Sequence, residues 1–201
     1  MQTAMCSEYD SRLRYAAYVG LGSNMGDARS CLRAAIQALR GLSCVRLAVS
    51  PMYLTEPQGD PDQPWFVNQV AGLVCAPGIT PISLLRDLQT IEQQLGRKRD
   101  SGRRYGPRII DLDLLVFGEI EYVHAELIIP HPRLHERAFV LAPLCDLAAD
   151  LRLPGGHTPR ELLRAVPHIV QGRRIFQSTT PETSRCSNGF CSQPCSMRST
   201  A

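Results

Sequence analysis

Two aspartates separated by one residue, Asp111 and Asp113, lie in an otherwise apolar stretch of the chain. The run from Arg108 to Phe117 is rich in aliphatic and β-branched residues and contains no glycine or proline, which predicts a β-strand. Side chains alternate between the two faces of a strand, so both carboxylates point to the same face, roughly 6.5–7 Å apart. Their repulsion costs on the order of 2.5 kcal/mol at an effective dielectric of about 20. A bound cation would remove this cost, and a few hard oxygen ligands with open positions suit Mg²⁺ that carries a phosphate substrate.

An arginine-rich segment precedes this strand. Residues 97–108 read Arg-Lys-Arg-Asp-Ser-Gly-Arg-Arg-Tyr-Gly-Pro-Arg, with six cationic side chains and one aspartate. A solvated basic loop or a nucleic-acid contact would also account for this segment, and an exposed strand face would account for the aspartates. The juxtaposition of the two is typical of phosphate chemistry, in which metal binds one side of the phosphates and guanidinium groups the other. Two glycines and a serine let the loop close over a ligand.

Weaker signals come from three other places. The segment Gly20–Gly26 contains glycines at the wrong spacing for a nucleotide-binding loop, so a plain strand-to-helix turn is an equal alternative. Prolines on both sides of His131 fix its backbone direction, either for a structural turn or, together with Arg137, for phosphate binding. Asn68 is a polar residue in an apolar strand, and its amide could pair with the donors and acceptors of a heteroaromatic ring.

The elements that must position these residues alternate in type. The pattern predicts strands over 15–21, 45–54, 66–75 and 108–117, and helices over 28–39, 81–95 and 136–147. Asp27 and Thr80 are predicted to cap the first two helices. In the aspartate strand the alternation predicts an apolar face made of Ile110, Leu112, Leu114 and Val116, opposite Ile109, Leu115, Phe117 and the two aspartates.

The order of the elements is β-α-β-β-α-β, followed by a short hairpin, a further strand over 127–129 and the last helix. This order predicts an α+β domain with the ferredoxin-like plan, with helices packed on one face of an antiparallel sheet and the other face left for a ligand. We expect this domain to span residues 15–176, between an N-terminal extension over 1–14 and a disordered tail over 177–201.

The bulk composition excludes several classes of protein. With 201 residues, 44% of them hydrophobic, the chain is expected to be soluble and globular. Its net charge of +3 is too small to argue nucleic-acid binding. It contains no apolar run of membrane-spanning length, and its first fourteen residues are too charged for us to expect a secretory signal. Eight cysteines without a disulfide or zinc spacing fit a reducing compartment, so we expect a cytoplasmic protein. We also expect the chain to be a monomer.

Taken together, five stretches of the sequence resemble the 6-hydroxymethyl-7,8-dihydropterin pyrophosphokinase family of the folate pathway. In chain order they are Tyr18–Gly26, Gln63–Asn68, Gly96–Arg99, Tyr105–Leu114 and Pro130–Phe139. The string Gly-Pro-Arg-Ile-Ile-Asp-Leu-Asp within the fourth stretch is highly specific, and the resemblance covers residues 16–155. It implies transfer of pyrophosphate from MgATP to the hydroxymethyl oxygen of the pterin, with release of AMP.

The resemblance also implies roles for individual residues. Asp111 and Asp113 match the pair that holds two Mg²⁺ ions on the triphosphate, and Arg97 and Arg108 join them as catalytic residues. The positions that match ATP contacts are Gln89, Glu92, Arg99, Arg104, Ile109, His131 and Arg137. The positions that match the pterin pocket are Thr55, Phe66, Asn68, Tyr105 and Phe139. The implied partners are therefore two small molecules, ATP and 6-hydroxymethyl-7,8-dihydropterin, with neither nucleic acid nor membrane.

The sequence departs from the family pattern at a few positions. Tyr105 stands where the family often has Trp, and Phe66 where Tyr is common, so both positions keep a flat ring for stacking. One extra residue lengthens the loop between Arg99 and Arg104. Glu126 occupies a frequently basic position near the nucleotide.

Two other functions are compatible with the same elements. A kinase of similar fold would transfer only the γ-phosphoryl group and produce ADP rather than AMP. An RNA-recognition domain has the same order of elements, but it stacks bases on aromatic residues of its central strands, where this chain has Asp111 and Asp113. Identification of the nucleotide product would separate the two kinases, and salt-sensitive RNA binding without ATP turnover would indicate the third function.

Overall fold

A mixed sheet forms the centre of the molecule. The computed structural model describes residues 16–42, 44–97 and 106–177. Its strands are β1 (Ala16–Ser23), β2 (Cys44–Val49), β3 (Tyr53–Thr55), β4 (Phe66–Cys75), β5 (Asp111–Phe117), β6 (Tyr122–His124), β7 (Leu127–Ile129), β8 (Ile169–Gln171) and β9 (Arg174–Phe176). Its α-helices are α1 (Ala28–Arg40), α2 (Pro81–Gln94), α3 (Ala138–Ala148) and α4 (Pro159–Ala165), and a 3₁₀ turn over Leu134–Glu136 precedes α3. The predicted α+β class is therefore confirmed.

The sheet has seven strands in the order β5-β1-β4-β3-β9-β8, with β2 also paired to β4. β1 runs antiparallel to both of its neighbours, β4 and β5. The predicted strand over 45–54 is two strands, β2 and β3, which pair with different halves of β4. The chain leaves the ladder between them at Ser50, whose hydroxyl accepts a hydrogen bond from the Val70 amide at 3.0 Å. Pro51 follows, and it has no N–H to donate to a ladder.

Helices cover both faces of the sheet. Leu32 and Leu39 of α1 and Leu88 and Ile91 of α2 pack in one apolar cluster with the β1 residue Leu21. A second cluster, which we call the α3 cluster, contains Leu141 and Leu144 of α3 together with Tyr18, Val70 and Leu115 from the sheet. The expectation of helices on one face thus describes α1 and α2, whereas α3 covers part of the face that was expected to be left for a ligand.

The predicted alternation of the aspartate strand is correct only as far as Leu115. The register between β1 and β5 shifts between Tyr18 and Val19, which leaves one extra residue on β5. Beyond this bulge Val116 packs in the α3 cluster and Phe117 in the opposite one, the reverse of the prediction. A bulge of one residue exchanges the faces of every side chain that follows it.

The first two helices begin where their caps predict. The Asp27 carboxylate accepts a hydrogen bond from the Ser30 amide at 3.0 Å, and Thr80 forms a reciprocal capping box with Ser83. Three short elements, α4, β8 and β9, were not predicted. None of the helices in the described ranges is long and apolar enough to cross a bilayer.

Candidate functional site

A pocket opens on the α3 face of the sheet, where β1, β4 and β5 lie side by side. Three of the apolar residues at its wall, Val70, Leu115 and Val140, belong to the α3 cluster. The lining residues with polar, charged or aromatic side chains include Thr55, Glu56, Gln58, Phe66, Asn68, Arg108, Asp111, Asp113, Arg133, Arg137 and Phe139. The structure therefore brings eight of the predicted site residues into one pocket: Thr55, Phe66, Asn68, Arg108, Asp111, Asp113, Arg137 and Phe139.

Two glycines of β1 form part of the pocket lining. Gly22 pairs with Asn68 of β4 on one side and with Asp111 of β5 on the other. A Cβ atom added at Gly22 would lie 2.8 Å from Oδ1 of Asn68, a distance that side chains do not tolerate. Gly20 and Gly22 are strand residues that leave space between β4 and β5, rather than members of a strand-to-helix turn.

Asp111 is held by two arginines. Its carboxylate forms ion pairs with Nη1 of Arg97 and with Nη1 of Arg108, and 18% of its side chain is exposed. The backbone of Arg108 is fixed by Asn24, whose side-chain oxygen accepts from the Arg108 amide at 2.7 Å. The strand thus begins with a carboxylate and two guanidinium groups in contact, the combination that the sequence predicted for phosphate chemistry.

Asp113 is more open than Asp111 and lies on the same side of the strand. Its Oδ2 atom is 3.6 Å from Nη1 of Arg137, and 40% of its side chain is exposed. Enclosure by the protein and the negative charge of Asp111 raise the pKa of Asp113 to about 6, against the opposing effect of the nearby arginines. The site therefore places an incompletely neutralised carboxylate at the pocket, where a cation would be stabilised.

A buried acid supports this arrangement from α2. Only 3% of Glu92 is exposed, and its Oε1 atom accepts a hydrogen bond from the Leu112 amide at 2.7 Å. The same carboxylate forms an ion pair with Arg97. Burial raises the pKa of Glu92, although the Leu112 hydrogen bond and the Arg97 charge act in the opposite direction. Glu92 thus links α2 to β5 and orients Arg97; the ATP contact expected of it stays a prediction.

The other end of the pocket is lined by an amide, a hydroxyl and two aromatic rings. Nδ2 of Asn68 donates to Oγ1 of Thr55 at 2.7 Å, and both residues are buried. Phe66 and Phe139 line the same pocket. The Arg137 guanidinium lies 5.6 Å from the centre of the Phe139 ring, a cation–π distance that joins the aromatic end to the charged end.

His131 lies in a neighbouring groove rather than in this pocket. Its amide donates to the Leu115 carbonyl at 2.8 Å, and its Nδ1 atom accepts from the Arg133 amide at 3.1 Å. Burial and the charges of Arg137 and Arg133 lower the pKa of His131 to about 4. The ring is therefore neutral near pH 7, and a hydrogen bond to Nδ1 leaves Nε2 as the N–H donor.

The remaining predicted residues divide into two groups. Gln89 and Ile109 are half-buried and do not line the pocket, while Arg99, Arg104 and Tyr105 lie outside the described residues. Glu56, Gln58 and Arg133 line the pocket but were not predicted. Arg133 could have been suggested by its place between His131 and Arg137, whereas Glu56 and Gln58 lie in a polar loop whose sequence carries no such signal.

The donor set fits a magnesium ion that arrives with a phosphate substrate. Among the described residues no three His, Cys, Asp or Glu side chains are grouped closely enough to hold a metal by themselves. Asp111 and Asp113 instead offer carboxylate oxygens that both reach the pocket. Mg²⁺ is commonly bound by one or two carboxylates, with substrate phosphates and water completing its octahedron.

Several known proteins with similar sequences are described as pterin pyrophosphokinases. A family model described as 7,8-dihydro-6-hydroxymethylpterin-pyrophosphokinase matches residues 18–149. A 2-amino-4-hydroxy-6-hydroxymethyldihydropteridine pyrophosphokinase from Pseudomonas aeruginosa is 50% identical over 151 residues, which cover 75% of this chain and 91% of the relative. The enzyme of the same name from Bacillus subtilis is 42% identical over 136 residues, or 67% of this chain and 79% of the relative.

A solved structure supports the fold. The wild-type HPPK-DHPS of Plasmodium falciparum superposes with a TM-score of 0.59 at 14% sequence identity. The match covers 75% of this chain and 44% of that longer one, so the chain spans less than half of the solved protein. At this level of identity the likeness concerns the fold alone.

Proposed function

The chain belongs to the 7,8-dihydro-6-hydroxymethylpterin-pyrophosphokinase family, and on that premise we propose which of its residues bind the two substrates. It is a pyrophosphokinase of folate biosynthesis, which transfers pyrophosphate from ATP to the hydroxymethyl group of 6-hydroxymethyl-7,8-dihydropterin. The family and the enzyme class predicted from the sequence are therefore confirmed. The observation on which the assignment of residues depends is the contact of two carboxylates on one strand face with three arginines.

Asp111 and Asp113 are the proposed metal ligands, and two Mg²⁺ ions are the proposed cofactors. When bound, Mg²⁺ neutralises charge on the triphosphate and orients it for displacement. In the structure Arg97 and Arg108 pair with Asp111, and Arg137 lies beside Asp113. Since these guanidinium groups already surround the carboxylates, small side-chain movements would let them bind phosphate oxygens instead. Gln89, Glu92, Arg99, Arg104, Ile109 and His131 remain further proposed contacts for ATP.

The pterin is proposed to occupy the other end of the pocket. The buried pair of Asn68 and Thr55 offers amide and hydroxyl groups for the edge of a heteroaromatic ring, and Phe66 and Phe139 offer flat faces for stacking. Tyr105 is a further proposed pterin contact. With both substrates in one pocket, the hydroxymethyl oxygen would face the phosphates between Asn68 and the aspartates. Catalysis then depends on positioning and charge stabilisation, and no covalent intermediate with the protein is needed.

Substitution of the aspartates tests this assignment. Asp111→Asn and Asp113→Asn should each lower turnover roughly 100-fold or more, because each removes a ligand charge without changing side-chain shape. Asp150→Asn is the matched control, since Asp150 also pairs with an arginine, Arg160, but at an exposed position that does not line the pocket. AMP and pterin diphosphate are quantified after incubation with MgATP and the pterin. Near-normal turnover in either aspartate variant would mean that the metal assignment is wrong.

The finer organisation of the chain is part of the same proposal. The order β5-β1-β4, with β2 and β3 on the far side of β4 and with α1 and α2 on one face, supports a ferredoxin-like βαββαβ core to which later elements are added. We propose that residues 15–176 form the catalytic domain of a cytoplasmic monomer.

A further inference from the structure

Gln177 hydrogen-bonds to two separate segments at the edge of the pocket, the start of α3 and the segment after β3. Its Oε1 atom accepts from the Ala138 amide at 2.9 Å, and its Nε2 atom donates to the Glu136 carbonyl at 2.6 Å. Its own amide donates to the Glu56 carboxylate at 3.2 Å, and its carbonyl accepts from Nε2 of Gln58 at 3.1 Å. One residue beyond β9 thus makes four hydrogen bonds, two of them to residues that line the pocket.

The segments that Gln177 joins carry proposed binding residues. Glu136 and Ala138 flank Arg137, which contacts Asp113, and they precede Phe139, which lines the aromatic end. Glu56 follows Thr55, the hydrogen-bond partner of Asn68. The start of α3 and the segment after β3 are far apart in sequence, and Gln177 hydrogen-bonds to both. Without the Gln177 side chain, the Ala138 amide and the Glu136 carbonyl would have to hydrogen-bond to water instead.

The strand that precedes Gln177 is itself anchored beside the pterin end. β9 runs parallel to β3, and the Leu54 amide donates to the Arg173 carbonyl at 2.8 Å. Ile175 is buried in the α3 cluster. The ring of Phe176 meets Trp65 edge to face, with centroids 5.4 Å apart, and Trp65 adjoins the proposed stacking residue Phe66. The position of Gln177 is therefore fixed by the sheet, so it can hold the other two segments in place.

We propose that Gln177 is a positioning residue that holds the start of α3 and the segment after β3 in the geometry that binds the pterin. The side-chain amide acts on Phe139 and Arg137 through the backbone of Glu136 and Ala138, and the main chain acts on Thr55 through Glu56. This inference rests on the proposed pterin site. Gln177 lies beyond the part of the chain that the family resemblance covers, in the region that the sequence assigned to a disordered tail.

Steady-state kinetics of the full-length chain test this role. Gln177→Ala should raise KM for the pterin about tenfold, because the start of α3 loses both side-chain hydrogen bonds. KM for ATP should change less than about threefold and kcat less than about twofold, since Arg137 is the one proposed phosphate contact that Gln177 holds, whereas Asp111 and its two arginines do not depend on it. Gln177→Glu should give an intermediate KM, because its carboxylate accepts from Ala138 but cannot donate to Glu136. Gln171→Ala is the matched control on the exposed β8 strand and should resemble the wild type.

A second measurement, which does not depend on enzyme turnover, detects whether the segment next to Gln177 packs less tightly in the variant. Trp65 is the only tryptophan of the chain, so acrylamide quenching of its fluorescence reports on the contact with Phe176. We expect stronger quenching in Gln177→Ala than in the wild type or in Gln171→Ala.

Two results would overturn the inference. The first is an equal pterin KM in Gln177→Ala and Gln171→Ala. The second is an equal loss in both KM values and kcat together with a lowered melting temperature, which indicates general destabilisation. Asn68→Ala distinguishes a failure of this inference from a failure of the proposed pterin site. If this variant leaves the pterin KM unchanged, the pterin site is wrong, whereas a raised KM in Asn68→Ala but not in Gln177→Ala would mean that only the role of Gln177 is wrong.

Discussion

At the scale of single residues, Gly22 shows how the absence of a side chain shapes the site. It lies in the sheet between Asn68 and Asp111, so any Cβ would occupy space that the Asn68 amide uses. We expect Gly22→Ala to displace this amide and to raise KM for the pterin at least about tenfold, the equivalent of roughly 1.4 kcal/mol of binding. The measurement is steady-state kinetics with the pterin as the varied substrate.

Gly20 provides the comparison for this prediction. It lies on the same face of β1, but its added Cβ would meet Leu115 at 3.5 Å, an ordinary van der Waals distance. Gly20→Ala should therefore raise the pterin KM much less than Gly22→Ala. Equal effects of the two variants would show that the collision with Asn68 is not the reason for the glycine.

The contribution of Asp113 to the free energy of unfolding is expected to be larger in acid than at neutral pH. The folded pKa of about 6 exceeds the ordinary value of 3.8, so the folded state binds the proton more tightly than the unfolded chain. The resulting stabilisation is complete below pH 4 and is lost as the pH rises through 6. Asp113→Asn should therefore raise the melting temperature at pH 7.5 and leave it unchanged at pH 4. Because solvent reaches the side chain, we expect a gain of at most about 1 kcal/mol, or 4 °C.

Asp150→Asn is the control for the prediction on Asp113, because the pKa of Asp150 is lowered rather than raised. The hydrogen bond from Arg160 lowers the pKa of Asp150, so its charge favours the folded state above the ordinary pKa. This variant should not gain stability at pH 7.5. A melting temperature of Asp113→Asn that is equal to or below that of the wild type at pH 7.5, in metal-free buffer, would contradict the assignment of a raised pKa.

At the scale of elements, the contact between α2 and β5 depends on Glu92. Glu92→Gln keeps an oxygen that accepts from the Leu112 amide but loses the charge that orients Arg97. We expect turnover to fall roughly tenfold with little change in the free energy of unfolding, because burial already disfavours this charge. Glu92→Ala also leaves the Leu112 amide unpaired and should lower the free energy of unfolding by about 2–4 kcal/mol.

Urea unfolding and turnover measured on the same preparations separate these two effects. Glu119→Gln, at an exposed position after β5, is the control and should match the wild type in both. If Glu92→Gln kept full turnover, Arg97 would not need its buried partner, and the proposed path from α2 to the site would be wrong.

The elements that could be predicted are those whose signals lie within a few residues. The caps at Asp27 and Thr80 and the shared face of Asp111 and Asp113 depend only on local geometry, and the structure contains all of them. The exchange of Val116 and Phe117 could not be predicted, because the bulge depends on how β1 pairs with β5. The contacts of Gln177 could not be predicted either, since its partners are distant in sequence and lie in irregular segments.

At the scale of the whole molecule, the site is assembled from both sides of the sheet. Helix α2 supplies Glu92 from the face that it shares with α1, while Phe139 of α3 and Arg137, which precedes this helix, come from the opposite face. The strands β1, β4 and β5 lie between them. A ligand that contacts all of these elements favours the folded chain as a whole, since the unfolded chain has no such site.

Ligand binding should therefore raise the melting temperature in a pH-dependent way. A non-hydrolysable ATP analogue with Mg²⁺, at 100 times its dissociation constant, is expected to add about 2.7 kcal/mol, or roughly 5–10 °C. Metal ligands must be deprotonated, so below the Asp113 pKa of about 6 binding has to displace a proton. At pH 5 and the same ligand concentration, the shift should shrink by up to about 1.4 kcal/mol, which corresponds to a tenfold weaker affinity. Chelation of the metal should remove most of the shift at either pH. Equal shifts at pH 5 and pH 7.5 would mean that Asp113 does not bind the metal, because a carboxylate outside the coordination sphere has no reason to couple its proton to the ligand.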